Sequence, residues 1–493
     1  MNSGLKSKYS MIVGLSLVLL APALVHAEVP DIDINYNVND ALRADPRVNG
    51  SEVNATTENG IVTLTGSVDN LAAKTFAVAE AKKIKGVLGA IDKLSVTPSY
   101  RSDTDVANAV RRRILNSVVI NSQGLFVTTK DCVVTLTGTV DSYPEEQQAG
   151  LLASEVRGVK EVKNDIITKW RKDRSDSDVK EDAIAALKND VYLAGEPIDV
   201  TVKGGIISLS GSVANAYERD RAFDDVRWIS NVNDVNNGLK VEWFENRGTK
   251  TKTETPSDET LKKTVRKSLD QDSRLIADAI TIRTSFGEVT LDGSVASHYE
   301  KIIAEQDAKN VLGVAWMRNN LFVRADQRED WAIEDDVDFN LDTDAVTEDF
   351  NLNPSVRKGV VTLTGQVHSW YQWSHAYDVA SRVRGVKAVI DNITVSAASD
   401  TNGSNWSRDA DLAKSVKSRL RSNWVTWWVL DKINVTVRNG VATIQGDVNT
   451  WKELQQAGEL ALHTQGISEV DNRLTVNGVA YPWDEYHLKV TSF

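Results

Sequence analysis

The chain has 493 residues and a formal net charge of −12, with 69 acidic side chains against 57 lysines and arginines, one cysteine and 13 tryptophans. Such a balance argues against nucleic acid as a partner, because phosphate binding rests on clustered Lys and Arg. The lone Cys132 cannot close an internal disulfide, so stability has to come from packed cores, and a chain of this length has room for several.

The first residues, "MNSGLKSKYSMIVGLSLVLLAPALVHA", carry Lys6 and Lys8, an apolar run from Met11 to Leu24 and small residues at Val25 and Ala27. This is the pattern of a cleavable signal peptide over residues 1–27, with Glu28 as the expected mature start. Without Lys6 and Lys8 the charge moves from −12 to −14. No cysteine follows the apolar run to carry a lipid anchor, and no later stretch approaches the roughly 20 apolar residues of a membrane span. The expectation is a mature chain exported to the periplasm with no transmembrane segment.

Beyond the leader the chain repeats itself. "VTLTGSV" at 62–68 returns as "VTLTGTV" (134–140), "ISLSGSV" (207–213), "VTLDGSV" (289–295), "VTLTGQV" (361–367) and "ATIQGDV" (442–448), centred on Gly66, Gly138, Gly211, Gly293, Gly365 and Gly446. Six residues before each stands a turn glycine, replaced only by Cys132 in the second copy, and before the turn lies a short alternating strand, so a hairpin is predicted. Four residues after each motif glycine comes a helix N-cap type: Asn70, Ser142, Asn215, Ser297, Ser369 or Thr450. Ala at the eleventh position after it (Ala77, Ala149, Ala222, Ala304, Ala376, Ala457) lets the following helix lie close to the sheet. The spacing ends this helix at the twentieth position, in Gly86, Gly158, Asn231, Gly313, Gly385 or Gly466. A third strand follows, with Asp or Asn at the twenty-sixth position (Asp92, Asn164, Asn237, Asn319, Asp391, Asn472) in a turn or conformational role. An amphipathic helix such as "TDVANAVRRRIL" precedes each hairpin.

Each copy thus reads helix, strand, strand, helix, strand. The predicted fold is α+β: six tandem αββαβ two-layer sandwiches, each a three-stranded mixed sheet covered by two helices. The expected units are residues 31–98, 103–169, 176–243, 257–325, 331–396 and 408–477, followed by an aromatic tail at 478–493. The order of elements, the "VTLTGxV" strand and the "GVxxVxN" ending resemble the BON domain, a family named after the osmotically inducible protein OsmY and nodulation proteins. That resemblance implies the bacterial envelope, osmotic or envelope stress, and non-catalytic binding with phospholipid membranes as ligand. It implies no catalytic residues.

Long polar connections, "ENRGTKTKTETPSD" and "SAASDTNGSNWSRD", suggest beads in three groups: units one to three, four and five, and six. The first helix of unit five reads as degraded, since residues 326–349 hold eleven Asp or Glu against one Arg. Asp336, Asp338, Asn340, Asp342 and Asp344 alternate like a calcium loop, but the glycine and closing Glu are missing, so a solvated acidic face is the expectation and no metal is assigned. Cys132 reads as an incidental thiol near the surface. The histidines His298, His368, His375, His463 and His487 show no metal-ligand spacing, and no nucleophile elbow or phosphate loop appears. No catalytic residue, cofactor or enzymatic activity is assigned.

Eight tryptophans lie from residue 370 onward: Trp370, Trp373, Trp406, Trp424, Trp427, Trp428, Trp451 and Trp483. The stretch "SNWVTWWVL" (422–430) lies in an insertion of unit six, which needs thirteen steps from Leu420 to Ile433 where units one to four need eleven. Its preceding helix carries Ala413, Val416 and Leu420 as a core stripe and Lys414, Lys417 and Arg421 beside it. Arg408 to Arg438 hold seven basic and three acidic residues, a local +4 in an acidic chain. Basic residues beside tryptophans fit an interfacial membrane contact through Trp424, Trp427, Trp428, Lys414, Lys417 and Arg421, with Trp370 and Trp373 in the same surface. The same aromatics also fit packing between domains, for which "SWYQWSH" or "YPWDEY" would serve, and capture of an envelope protein or a glycan. The composition leaves open a membrane surface, an envelope protein (a scaffold or chaperone-like role) or a polysaccharide as partner; oligomeric state is not legible.

Overall fold

The computed structural model describes residues 29–48, 52–169, 174–242, 256–325, 327–396, 409–476 and 478–480. The expected signal peptide, most of both long connections, Trp406, Trp483 and His487 lie outside them. The first helices span Asp31–Ala44, Asp103–Asn116, Asp176–Asn189, Asp258–Gln271, Asp330–Asp342 and Asp409–Ser422. The second helices span Leu71–Lys82, Tyr143–Ser154, Ala216–Arg227, His298–Asn310, Trp370–Ser381 and Trp451–Leu462. Each unit has its own sheet, with the hairpin strands antiparallel and the third strand parallel to the middle one, as in Val53↔Gly66↔Leu94. Unit three breaks its third strand into Asp234–Asn237 and Lys240–Val241, and unit six adds a short strand, Val479–Ala480. The fold is therefore α+β, six mixed sheets each layered with two helices. In unit one Val62, Leu64 and Val68 alternate inward against Ala77 and Ala81, and a helix bearing only alanines there can sit on the sheet.

Three repeated devices explain the repeated residues. The motif glycine has a positive φ, +114° at Gly66, and a Cβ there would meet the carbonyl oxygen of Glu52 across the hairpin at 1.7 Å; in the other copies the facing carbonyl lies at 2.0 to 2.6 Å. The N-cap side chain, from Asn70 to Thr450, accepts the N–H three residues on in all six units. In five units the Asp or Asn of the third strand accepts the N–H two residues later (Leu94 N to Asp92, 2.9 Å), Asn164 of unit two being the exception, and where it is Asn its amide donates to the second helix, as from Asn472 to the Leu454 carbonyl at 3.1 Å. These residues pin strand to helix.

A fourth device carries no motif of its own. The aspartate that opens every first helix accepts both N–H groups of the hairpin turn: Asp31 from Asn59 and Gly60 at 2.7 and 2.8 Å, with Asp103, Asp176, Asp258, Asp330 and Asp409 doing the same. Cys132, with φ of 63°, takes the turn glycine's place under Asp103 and is half-buried.

Several expectations are corrected. The second helices stop four residues short of the positive-φ glycine in most units, because the residues between them form backbone bridges to other units: Ile84 to Asn423, Val383 to Ser117, Val156 to Asp344, Val311 to Asp190 and Ile229 to Asp272. Units one and six, two and five, and three and four are thereby paired, so the grouping inferred from the connections does not hold. Each bridge joins the end of a first helix to the end of a partner's second helix, and pairs two–five and three–four make it twice, as a local two-fold requires. Other contacts close each half of the chain on itself. Leu71 packs on the cores of units one and two, Tyr143 enters the core of unit three, and Lys82 meets Asp220 at 2.5 Å. In the second half His298 meets the Tyr377 hydroxyl at 2.8 Å, Trp370 Nε1 donates to the Ser468 carbonyl at 2.6 Å, and Trp451 stands edge-on to Trp316. Two rings of three units thus face each other.

The first helix of unit five is a regular 13-residue helix, with Ile333, Val337 and Leu341 in the core. Its acidic run is only partly solvated. Asp336 is buried between Arg112, Arg328 and Asn116, and Asp344 is fully buried against Arg113 (3.0 Å) and His375 (2.9 Å), so the charges serve the pairing with unit two. Asp338 and Asp342 do face solvent.

Candidate functional site

An exposed aromatic and basic surface lies on the seam between units one and six. Its backbone is fixed by Lys85 N–H donating to the Ser422 carbonyl at 2.8 Å and Trp424 N–H donating to the Lys83 carbonyl at 3.2 Å. Beneath it, Arg419 of unit six donates to Glu80 at 2.9 Å and Asp45 at 3.3 Å, and Arg47 bridges the same two carboxylates. Burial alone would raise the Asp45 carboxyl, yet the two guanidiniums hold it well below the usual range. A closed ionic layer therefore locks the two units together.

The insertion in unit six folds around two anchors, Val425 and Val429, which are both buried in the unit. Thr426 is buried too, donating its hydroxyl to the Leu420 carbonyl at 2.6 Å. With those side chains turned inward, Trp427 and Trp428 point out and stay 36% and 45% exposed. Trp424 turns the other way, packing against Tyr217 and Tyr192 of unit three at centroid distances of 5.6 and 6.2 Å. Trp424 thus belongs to an inter-unit joint and not to the outer contact set, because its ring is occupied by two tyrosines.

Trp373 is likewise removed from that set: it is 4% exposed, in the core of unit five, with Trp370 edge-on at 5.1 Å. Trp370 is half-buried and spends its indole N–H on unit six. Lys414, Lys417 and Arg421 are all exposed on one side of the unit six helix, with no ion pair to another described residue. The core stripe of that helix runs through Leu412, Val416 and Leu420, with Ala413 only half-buried.

Unit one supplies residues the sequence did not point to. A groove of 310 Å³ is lined by Tyr36, Lys85, Arg421 and Trp427. The Lys85 ammonium lies 3.6 Å above the Trp427 ring. Ile32 and Tyr36, one turn apart on the first helix of unit one, are 77% and 66% exposed. Nothing local marks them, because their partner stands nearly four hundred residues away in the chain.

Buried histidines are structural. His298 is held down at about 4 by burial and Lys301, and His463 lies well below its ordinary value through burial and Arg47. His375 goes the other way: against the effect of burial, Asp344 raises it. His368 is exposed, so it does not join His375 in a site. Among the described residues no group of three or more His, Cys, Asp or Glu could hold a metal ion, and no helix is long and apolar enough to cross a membrane.

Comparison with known proteins agrees with the repeat. The BON domain profile matches residues 30–98, 102–169, 175–242, 257–325, 329–397 and 408–478. Osmotically-inducible protein Y of Escherichia coli is 34% identical over 146 residues, 28% of this chain and 73% of the relative. Outer membrane lipoprotein DolP of Haemophilus influenzae is 26% identical over 147 residues, 29% of this chain and 76% of the relative. Among solved structures, the C-terminal domain of CdsD, the structural protein of the type III secretion system of Chlamydia trachomatis, covers 43% of this chain and 99% of its own length at 16% identity and a TM-score of 0.12. The chain belongs to the BON domain family and carries six of these domains in tandem.

Proposed function

We propose that this chain is a non-enzymatic protein of the bacterial envelope that associates peripherally with phospholipid membranes. The names of its relatives, one osmotically inducible and one an outer membrane lipoprotein, support the compartment and a link to osmotic stress. The observation that carries the membrane reading is the seam of units one and six. There Trp427, Trp428, Tyr36 and Ile32 are exposed beside Lys85, Lys414, Lys417 and Arg421, in a chain otherwise dominated by acidic groups. Indole and phenol rings settle at headgroup depth while cations meet lipid phosphate, each cation near an anionic surface adding roughly 1 kcal/mol.

Charge reversal tests this reading. A Lys414→Glu, Lys417→Glu, Arg421→Glu variant is expected to lose co-sedimentation with vesicles containing phosphatidylglycerol, and the wild type to weaken as salt rises. Unchanged binding after reversal would overturn the lipid reading and favour an envelope protein as the partner of the same surface.

A further inference from the structure

Where the two rings meet, the molecule encloses a chamber of 420 Å³. Every unit contributes to its wall, through Lys83, Gln148, Arg221, Asp307, Arg382 and Glu459 from units one to six respectively. This volume falls in the range of roughly 300 to 1,000 Å³ typical of small-molecule sites. Leu151, Asp224 and Lys267 of the wall reach solvent.

The wall holds polar atoms that nothing in the protein satisfies. Gln148 is 1% exposed, yet its Nε2 has no acceptor; Gln306 Nε2 and Arg227 Nε are donors in the same state. Gln271 Oε1, Asp225 Oδ2 and Asp307 Oδ2 are acceptors without a donor. Asp225 and Asp307 stand at the same place in units three and four, fourteen residues after Gly211 and Gly293. Buried polar atoms are rarely left unpaired, so several on one wall require occupants of the chamber.

An anion would satisfy the donors and strand the acceptors, and a cation the reverse. Hydroxyl groups serve both, because each donates and accepts. Burial also raises the Asp225 and Asp307 carboxyls well above the usual range, Asp307 further through its neighbour Asp272. The wall further includes the rings of Tyr192, Tyr217 and Trp451, the first two of which also pack on Trp424. We infer that the central chamber binds a small uncharged polyhydroxylated molecule, a polyol or a short saccharide, held by amide and carboxyl side chains from opposite halves of the chain.

Titration calorimetry and saturation-transfer NMR with maltose and sorbitol at millimolar concentration test this on the full mature chain. Low concentration matters, because concentrated sugars stabilise any protein by exclusion from its surface. Saturable binding of either probe is expected, weakened about tenfold when Gln148→Leu and Gln306→Leu are combined. If Gln148→Leu fails to fold, Gln306→Leu alone should still weaken binding several-fold. Absence of saturable binding by both probes would mean that the chamber holds water only, and saturable binding indifferent to the glutamine changes in folded protein would place it elsewhere; either result overturns the inference.

Discussion

Arg419 of the sixth domain and Glu80 of the first form a fully buried ion pair at 2.9 Å between residues 339 positions apart. It joins the first domain to the sixth, and it gives the pairing of domains a direct test. Removing one partner of a buried pair leaves the other charge uncompensated, which costs about 3–5 kcal/mol. Arg419→Ala is therefore expected to lower the unfolding free energy, read from denaturant titration, by that amount and expose the junction near Lys85 to protease. A stability loss under about 1 kcal/mol would mean that Arg47 alone suffices to neutralise Asp45 and Glu80.

The tryptophans of the insertion should separate by role. Trp424→Ala removes a ring held between Tyr192 and Tyr217 and is expected to cost about 2–4 kcal/mol in urea unfolding. Trp428→Ala, at a half-exposed ring, should stay within about 0.5 kcal/mol. Equal effects would contradict the division of this stretch into a joint and an outer surface.

The motif glycine is fixed by a carbonyl. In Gly66→Ala the new methyl would lie 1.7 Å from the Glu52 oxygen, so the hairpin backbone has to shift, and a loss of about 3–4 kcal/mol is expected. Gly195 also has a positive φ, +89°, but a Cβ there meets nothing within 4 Å. Gly195→Ala should cost about 1–2 kcal/mol, the backbone term alone. Calorimetric melting of both variants measures the difference.

The stability that His298 itself confers should fall on mild acidification, opposed by buried carboxyls such as Glu348 and Asp391, which are raised to about 7 and about 6. His298 is held near 4 in the folded protein against about 6.5 unfolded, so the unfolded chain takes up the proton first. The stability it confers is present above about pH 6.5 and lost as pH falls towards 4, by at most about 1.4 kcal/mol per pH unit. His463, also depressed, acts in the same direction. His375 is raised by Asp344; its contribution is complete below about 6.5 and lost as pH rises through its folded value, outside this window. His298→Phe gives up the bond to Tyr377 but should make stability at pH 4 to 5 more favourable relative to pH 7 than in the wild type, read from urea midpoints across pH 4 to 7. An unchanged slope would assign the acid sensitivity to other groups.

What the sequence disclosed follows from how local each signal is. The hairpin strands, the caps from Asn70 to Thr450 and the conformational role of the third-strand Asn were legible because each acts within its own domain at constant spacing. The clasping aspartate was also present at constant spacing, 29 residues before the turn position from Asp31 to Gly60 and four times again, but its partners are backbone N–H groups that leave no second letter to notice. Domain pairing was hidden for a different reason. Asp45, Glu80 and Arg419 look like surface charges until they are placed together, and although Arg113 and Asp344 repeat the Arg419 and Asp45 pair between units two and five, Ala186 and Ser268 stand at the arginine's place in units three and four. Thus the insertion and its basic helix pointed to one half of the seam, while Tyr36 and Lys85 came from a domain that no local signal sets beside it.

The central claim is that the seam of the first and sixth domains meets lipid. Flotation of the mature protein with anionic vesicles, against a Trp427→Ala, Trp428→Ala double variant of unchanged melting temperature, tests it most directly. The account predicts that the wild type floats, less so in high salt, and that the double variant stays at the bottom of the gradient. Equal flotation of the two proteins, or none by the wild type, would contradict it.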